Sequence, residues 1–329
     1  MVDTVILLIP KEQVKLTGNL IRDATQKQSL EIALANIKNI RNTTGKYFPA
    51  VSLTPRNRHY DSCLRIEFSA QKLLGKTDLI DADFLEIVTI LQERLLLLGV
   101  EVDCNDIFSA KVSSIHYSKD IRLQNGYTSS YIITELAKIN TRKNIDLYSS
   151  TYANNGKSIS FRTSHYQFII YDKASEQNKD TKIELLRLEV RLTKAVKIKE
   201  VQELFCTNLD RTFNNLFSKD LSQKVIVYYW RKYVLSQGVG IFLTERTPLD
   251  TLKDILISDH NQSLKKILYE FSLATLATTN QSELRTIVES MSSQISWYRF
   301  AKDLKKAKEK INSLLVRDWI DYLTNELFN

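Results

Sequence analysis

Leu185–Thr193 reads LLRLEVRLT, with every second residue apolar. Side chains on a strand alternate between two faces. Leu186, Leu188, Val190 and Leu192 therefore share one face, and Arg187, Glu189, Arg191 and Thr193 share the other. The stretch before it, Tyr166–Lys173, sorts the same way. Tyr166, Phe168 and Ile170 take one side; Gln167, Ile169, Tyr171 and Lys173 take the other, with His165 just ahead of them. An earlier stretch, Val112–Ser118 (VSSIHYS), sets Ile115 and Tyr117 against Ser114, His116 and Ser118. If the first two strands are neighbours, Tyr171, Lys173, Arg187 and Glu189 share a surface. A phenol oxygen there is a nucleophile for phosphorus. The cations, with a divalent metal, would neutralise charge developing on phosphoryl oxygens. A carboxylate helps to hold such a metal, and a neutral imidazole is a further ligand.

Each residue also has a plainer reading. A polar strand face is commonly the solvated side of an antiparallel sheet. A lone histidine such as His116 is more often a hydrogen-bonded structural residue than a ligand. His59, His165 and His260 are scattered and form no HxH or HExxH pattern. Glu67, in the strand-like CLRIEFS of Cys63–Ser69, repeats the Arg-apolar-Glu pattern and is an outside candidate for the metal. Most of the 15 tyrosines must be structural.

The elements that have to position these residues alternate up to about Lys194. Strands are expected at Val5–Ile9, Phe48–Leu53, Cys63–Ser69, Ile107–Ser118, Ile145–Tyr152, Lys157–Thr163, Tyr166–Lys173 and Leu185–Thr193. The run Asn154-Asn155-Gly156 predicts a hairpin turn. Helices are expected at Thr25–Asn39, at Asp81–Leu98 with Asp81 as cap and Gly99 just beyond, and at Thr128–Ile139 capped by Thr128 or Ser129. Beyond Lys194 the spacing is helical: Ile198–Phe205, Val225–Ser236, Leu249–Ile257, Ser263–Ala277, Gln281–Ser292 and Trp297–Trp319.

The chain has 329 residues, which predicts about two domains at roughly 150 residues each. With Gly 8 and Pro 4, collagen-like and linker-rich readings are excluded, and few glycines argue against nucleotide folds built on Gly-rich phosphate loops. The formal charge of +8 points to a polyanionic partner, nucleic acid before membrane. Cys63, Cys104 and Cys206 are too few and too far apart for a disulfide framework or a CxxC zinc site, which fits a reducing compartment. The apolar N-terminus carries Asp3 and reads as a first strand, and the stretch around Leu95–Val100 is too short to span a bilayer.

Three segments in order, VSSIHYS, HYQFIIYDKASE and LLRLEVRLTK, resemble motifs of rolling-circle replication initiators. The match is to the filamentous-phage type (gene II and X proteins), with plasmid initiators related. It covers about Met1–Lys194 and is best from Lys111 onward. The resemblance implies that Tyr171 attacks the scissile phosphodiester, forms a 5′-phosphotyrosyl link and frees a 3′-hydroxyl. It sets Lys173 beside the nucleophile and Glu189 at the metal. The family's acid in the earlier strand falls here on His116, a departure that removes a negative charge. The full metal set is therefore open.

The reading that follows is an α+β fold. Residues 1–194 form a DNA-nicking domain, an antiparallel sheet with helices on one face. Residues 195–329 form a mainly helical C-terminal region. Tyr171 and Lys173 are the catalytic candidates. Arg187, Arg191 and Arg162 are the phosphate-binding ones, and His116 and Glu189 are the ligands of Mg²⁺ or Mn²⁺. The expected partners are origin DNA and a host helicase and polymerase, without a membrane, in the cytoplasm of a bacterial host. The alternative is a non-catalytic DNA-binding replication regulator of the same fold. Trp297–Arg317, with seven Lys/Arg against two acids, adds a basic face of Lys302, Lys305, Lys306, Lys308 and Lys310. That face reads as a solvated surface or as a phosphate-backbone contact.

Overall fold

A computed structural model describes residues 1–17, 42–54, 62–124, 126–137, 146–152, 156–176, 184–206, 210–237, 263–277, 281–291, 297–310 and 318–328, with a few single positions between them. The expected helices Thr25–Asn39 and, for most of its length, Leu249–Ile257 lie outside the described residues.

The strands are β1 (Val2–Pro10), β2 (Lys15–Leu16), β3 (Ala50–Thr54), β4 (Cys63–Ser69), β5 (Val100–Glu101), β6 (Lys111–Arg122), β7 (Asp146–Tyr152), β8 (Gly156–Arg162), β9 (Tyr166–Asp172) and β10 (Leu185–Leu192). The chain forms two compact units from interleaved segments. The first holds Met1–Lys119, Ser164–Phe168 and Glu189–Ile226; the second holds Asp120–Thr163, Ile169–Leu188 and Val227–Asn329.

In the first unit the strand order is β3-β4-β1-β6-β10-β9, with the last three contributing only part of their length. β1 is antiparallel to both β4 and β6, for example through Ile6 opposite Glu67 and Val5 opposite Ile115. Period-two alternation gives this sheet a fully buried face of Val5, Leu7, Ile9, Leu64, Ile66, Phe68, Ile115 and Tyr117. Helices cover that face. Phe84–Leu97 repeats its apolar residues at helical spacing, so Phe84, Ile87, Val88, Leu91 and Leu95 form one buried stripe. Phe213 bridges helix and sheet, with its ring 5.8 Å from Phe68 and 4.9 Å from Phe84. Gly99 follows the helix at φ 76°, a left-handed backbone that favours glycine. On the opposite face Thr4, Ile6, Leu8, Arg65, Glu67 and His116 are half-buried, while Ser114 and Ser118 are buried.

In the second unit β6, β10, β9, β8 and β7 lie side by side. β7 and β8 form the expected hairpin, from Tyr152 opposite Gly156 to Asp146 opposite Arg162, and the turn residues lie outside the description. The helix Ser129–Leu136 starts as expected, with the Thr128 hydroxyl accepting from the Tyr131 N–H at 3.1 Å. Lys219–Tyr233 crosses from the first unit and buries Trp230 in the second, where its indole N–H donates to the Thr324 hydroxyl at 3.1 Å. Every described α- or 3₁₀-helical or extended element beyond Leu192 is helical, apart from one isolated bridge between Lys111 and Thr212.

Two local expectations are corrected. The strand expected over Ile107–Ser118 begins only at Lys111. Asp103 accepts from the Asn105 N–H at 2.8 Å and caps a short helix, Cys104–Phe108, that buries Ile107. Asp81 is not the cap of the following helix; it lies in a 3₁₀ turn, and its carboxylate accepts the Lys219 N–H at 2.7 Å. Of the expected helix Trp297–Trp319, the described residues form Trp297–Lys310 and the start of Asp318–Phe328, and residues 311–317 lie outside the described residues.

Candidate active site

β6 and β10 run in opposite directions. The Leu123 N–H donates to the Glu184 carbonyl, and nearer the strand centres Arg187 meets Asp120. In the first unit this pairing brings His116 to Glu189, with Nδ1 3.2 Å from Oε1. Arg191, two residues along the same face, forks onto the same carboxylate, Nε to Oε1 at 2.8 Å and Nη2 to Oε2 at 3.2 Å. Glu189 is 2% exposed. Burial pushes a carboxyl group's pKa up. Here the hydrogen bonds from His116 and Arg191, and their charges, outweigh it and bring Glu189 down to about 2. Glu189 is thus a buried anion held by two cationic or donor groups, with His116 half-buried beside it.

His116 and Glu189 are the two candidate ligands of a divalent metal; Arg191 takes one lone pair on each Glu189 oxygen and His116 faces Oε1, which leaves one lone pair on Oε2 for a cation. Among the described residues no group of three or more His, Cys, Asp or Glu is placed to hold a metal. Glu67 is turned to Arg65, at 2.7 Å.

The second unit holds Tyr171, Lys173, Arg187 and Arg162. Tyr171 is 9% exposed near the end of β9. Lys173 is not on that strand, as expected from alternation, but opens the helical turn Lys173–Glu176. The turn forms because Asp172 ends the strand and accepts both the N–H of Ser175, at 3.0 Å, and its hydroxyl, at 2.6 Å. Lys173 still stays near the phenol. Its ammonium lies 5.8 Å from the centroid of the Tyr171 ring and pairs with Glu176. Arg187, 2% exposed, is forked onto the Asp120 carboxylate, with Nη2 2.7 Å from Oδ2. Arg162 is exposed on β8, with Nε donating to the Ser160 hydroxyl at 2.9 Å.

The strand face expected to hold Arg187, Glu189 and Arg191 is therefore one face, but not a solvated one. Its two central charges are buried and paired. Asp120 is the residue that sequence reasoning passed over. It lies four positions beyond His116, on the same side of the alternation, and an acid there is what a buried Arg187 needs. Asp172 was passed over as well, because its role depends on the chain leaving the strand.

No known protein family and no curated protein matches the chain. The structure of a rolling circle replication initiator protein from Geobacillus stearothermophilus is similar over 71% of this chain and 84% of that one, at 12% identity and a TM-score of 0.33. A likeness of that size decides nothing about chemistry. Among the described residues no helix is long and apolar enough to cross a membrane.

Proposed function

We propose that this chain is a rolling-circle replication initiator, a nicking endonuclease and strand-transferase acting on single-stranded origin DNA. The oxygen of Tyr171 attacks phosphorus in line, the bond to the 3′-oxygen breaks, the phenol proton passes to solvent or a base, and the leaving 3′-oxygen takes up a proton from solvent. The products are a 5′-phosphotyrosyl link and a free 3′-hydroxyl. An ordinary phenol has a pKa of about 10, so a nearby cation has to favour the phenolate, and Lys173 is the cation beside it. Arg162 is exposed and is assigned the phosphate backbone. Arg187 and Arg191 are committed to Asp120 and Glu189, and any role toward phosphate would be shared with those acids.

The observation that supports this reading best is the meeting of His116 with Glu189 at 3.2 Å. These residues come from two of the three segments that resemble the initiators, and they are far apart in the chain. The basic surplus of +8 suits a DNA partner.

The test is cleavage of labelled single-stranded DNA from the encoding replicon, run with Mn²⁺, with Mg²⁺ and with a chelator. A covalent protein–DNA adduct present in wild type and absent in Tyr171→Phe is expected. An adduct that persists in the variant moves the nucleophile elsewhere. Tight, salt-dependent binding with no adduct under any metal makes the chain a non-catalytic regulator instead.

A further inference from the structure

The second unit carries an aromatic pair that the nicking residues do not use. Tyr127 and Tyr131 stand at the start of the helix Ser129–Leu136, with ring centroids 6.2 Å apart and planes within 18° of parallel. The helix buries Ile132, Ile133 and Leu136, so Tyr131 falls on its outer side and is 40% exposed; Tyr127 is half-buried. Along the same stretch Arg122, Gln124, Thr128 and Thr134 are exposed and polar. From Arg122 to Leu136 the one acid, Glu135, is buried, and the one cation, Arg122, is exposed. A second cation comes from β8, where the Lys157 ammonium donates to the Thr134 hydroxyl at 3.2 Å. Residues three apart on a helix are neighbours, with β-carbons roughly 5–6 Å apart. The ammonium held at Thr134 is therefore beside Tyr131. Glu184, which approaches the same helix end, accepts the Ser129 N–H at 2.9 Å.

We propose that Tyr127 and Tyr131 form a stacking platform for single-stranded DNA, with Lys157 meeting its phosphates. An unpaired base presents a flat π-face. A tyrosine ring nearly parallel to its neighbour and exposed to solvent extends that stack by a base. The ammonium beside Tyr131 supplies the counter-charge for the backbone of the stacked nucleotide. Duplex DNA keeps its base faces inside the helix, so the platform selects unpaired strands. A protein partner suits the surface less, because the exposed residues flanking the pair are polar and not further apolar anchors. Every base has a π-face, so the platform holds the strand and leaves the choice of origin to other contacts. The inference deepens the proposed function and takes its DNA partner from that reading, but its evidence is this surface and not the reaction.

Binding of the full-length protein to labelled oligo(dT), which carries no origin sequence, tests it. In wild type, oligo(dT) substituted with 5-iodouracil is cross-linked by long-wavelength ultraviolet light and the attachment point is mapped by mass spectrometry. Attachment to Tyr127 or Tyr131 is expected. Attachment only elsewhere overturns the proposal, and so does a wild type that does not bind oligo(dT). Tyr131→Ala should weaken binding about 5–150-fold, the range for loss of one stacked base, and leave the salt dependence as it was. Tyr131→Phe keeps the ring and should bind within about twofold of wild type; a loss as large as that of the alanine variant refutes stacking. Lys157→Gln should lower the slope of log affinity against log salt by about 0.7, and an unmoved slope removes Lys157 from the platform. Because wild type carries the cross-link, a variant that fails to fold leaves the test intact. Oligo(dT) held through Tyr131 by a protein that forms no adduct with origin DNA sinks the proposed function and spares this inference. An adduct formed by wild type, with Tyr131→Ala binding oligo(dT) as tightly as wild type, does the reverse.

Discussion

Glu189→Gln removes one negative charge from a place where two neighbours depend on it. Side-chain volume barely changes, so the effect is electrostatic. The ordinary carboxyl value is 4.5 and the folded value about 2, with burial opposing the shift and His116 and Arg191 overcoming it. The depressed value corresponds to about 3 kcal/mol of stability that the ionised group contributes. Because the folded value is depressed, that contribution is fully present above the unfolded value of 4.5 and is lost as pH falls toward 2. Wild type should therefore exceed Glu189→Gln by about 3 kcal/mol at neutral pH, by roughly half of that near pH 3, and by almost nothing near pH 1. Glu189 is 3% exposed as a side chain, so solvent screening removes little of this. Urea unfolding at a series of pH values is the assay. The probe should be far-ultraviolet circular dichroism, because Trp230, Trp297 and Trp319 all belong to the other compact unit. Repeating the comparison in a His116→Gln background separates the share of the imidazole from that of Arg191. A gap between wild type and variant that stays constant from neutral pH to pH 3 would refute the reasoning.

Three further outcomes follow from the same structure. Asp120→Ala removes the carboxylate onto which the Arg187 guanidinium, 3% exposed, is forked, and should lower stability in thermal or urea unfolding; Arg187→Met leaves an acid that is 20% exposed and should cost less, with the double variant Asp120→Leu/Arg187→Met regaining most of the loss. Equal costs for the two single variants would contradict the burial argument. Thr324→Val leaves the buried Trp230 N–H without its acceptor and should lower stability by about 1–3 kcal/mol, measured by tryptophan fluorescence during unfolding. Lys302→Gln and Lys305→Gln alter two exposed cations of Trp297–Lys310; if each touches single-stranded DNA, each should reduce the slope of log affinity against log salt by about 0.7, while a slope that does not move assigns that face to solvent alone.

The sheet was readable because its signal is local. A strand that buries one face writes period two into its own residues, and Cys63–Ser69 was bounded to the residue by that pattern alone. The meeting of His116 with Glu189 was only half readable. Alternation says which way each side chain points, but not which strands are neighbours. A polar face of Arg, Glu and Arg looks the same whether water or an imidazole lies against it. What turns that face from solvated to buried is the position of β10 between β6 and β9, a long-range fact that no window of ten residues contains. Lys173 shows the converse. The apolar pattern carries through Tyr171 and suggests one more strand position, yet Asp172 can cap a turn, and a capped turn satisfies the Ser175 N–H locally. Local capping thus prevailed over periodicity at the residue beside the proposed nucleophile. The consequence reaches the chemistry. A lysine on the strand would have stood two residues along the same face as Tyr171. A lysine opening a turn folds back to within 5.8 Å of the Tyr171 ring while paired with Glu176. Its charge is therefore shared between the phenol and an acid, and breaking that pair with Glu176→Gln should make Lys173 a stronger stabiliser of the phenolate, seen as a higher rate of adduct formation at neutral pH.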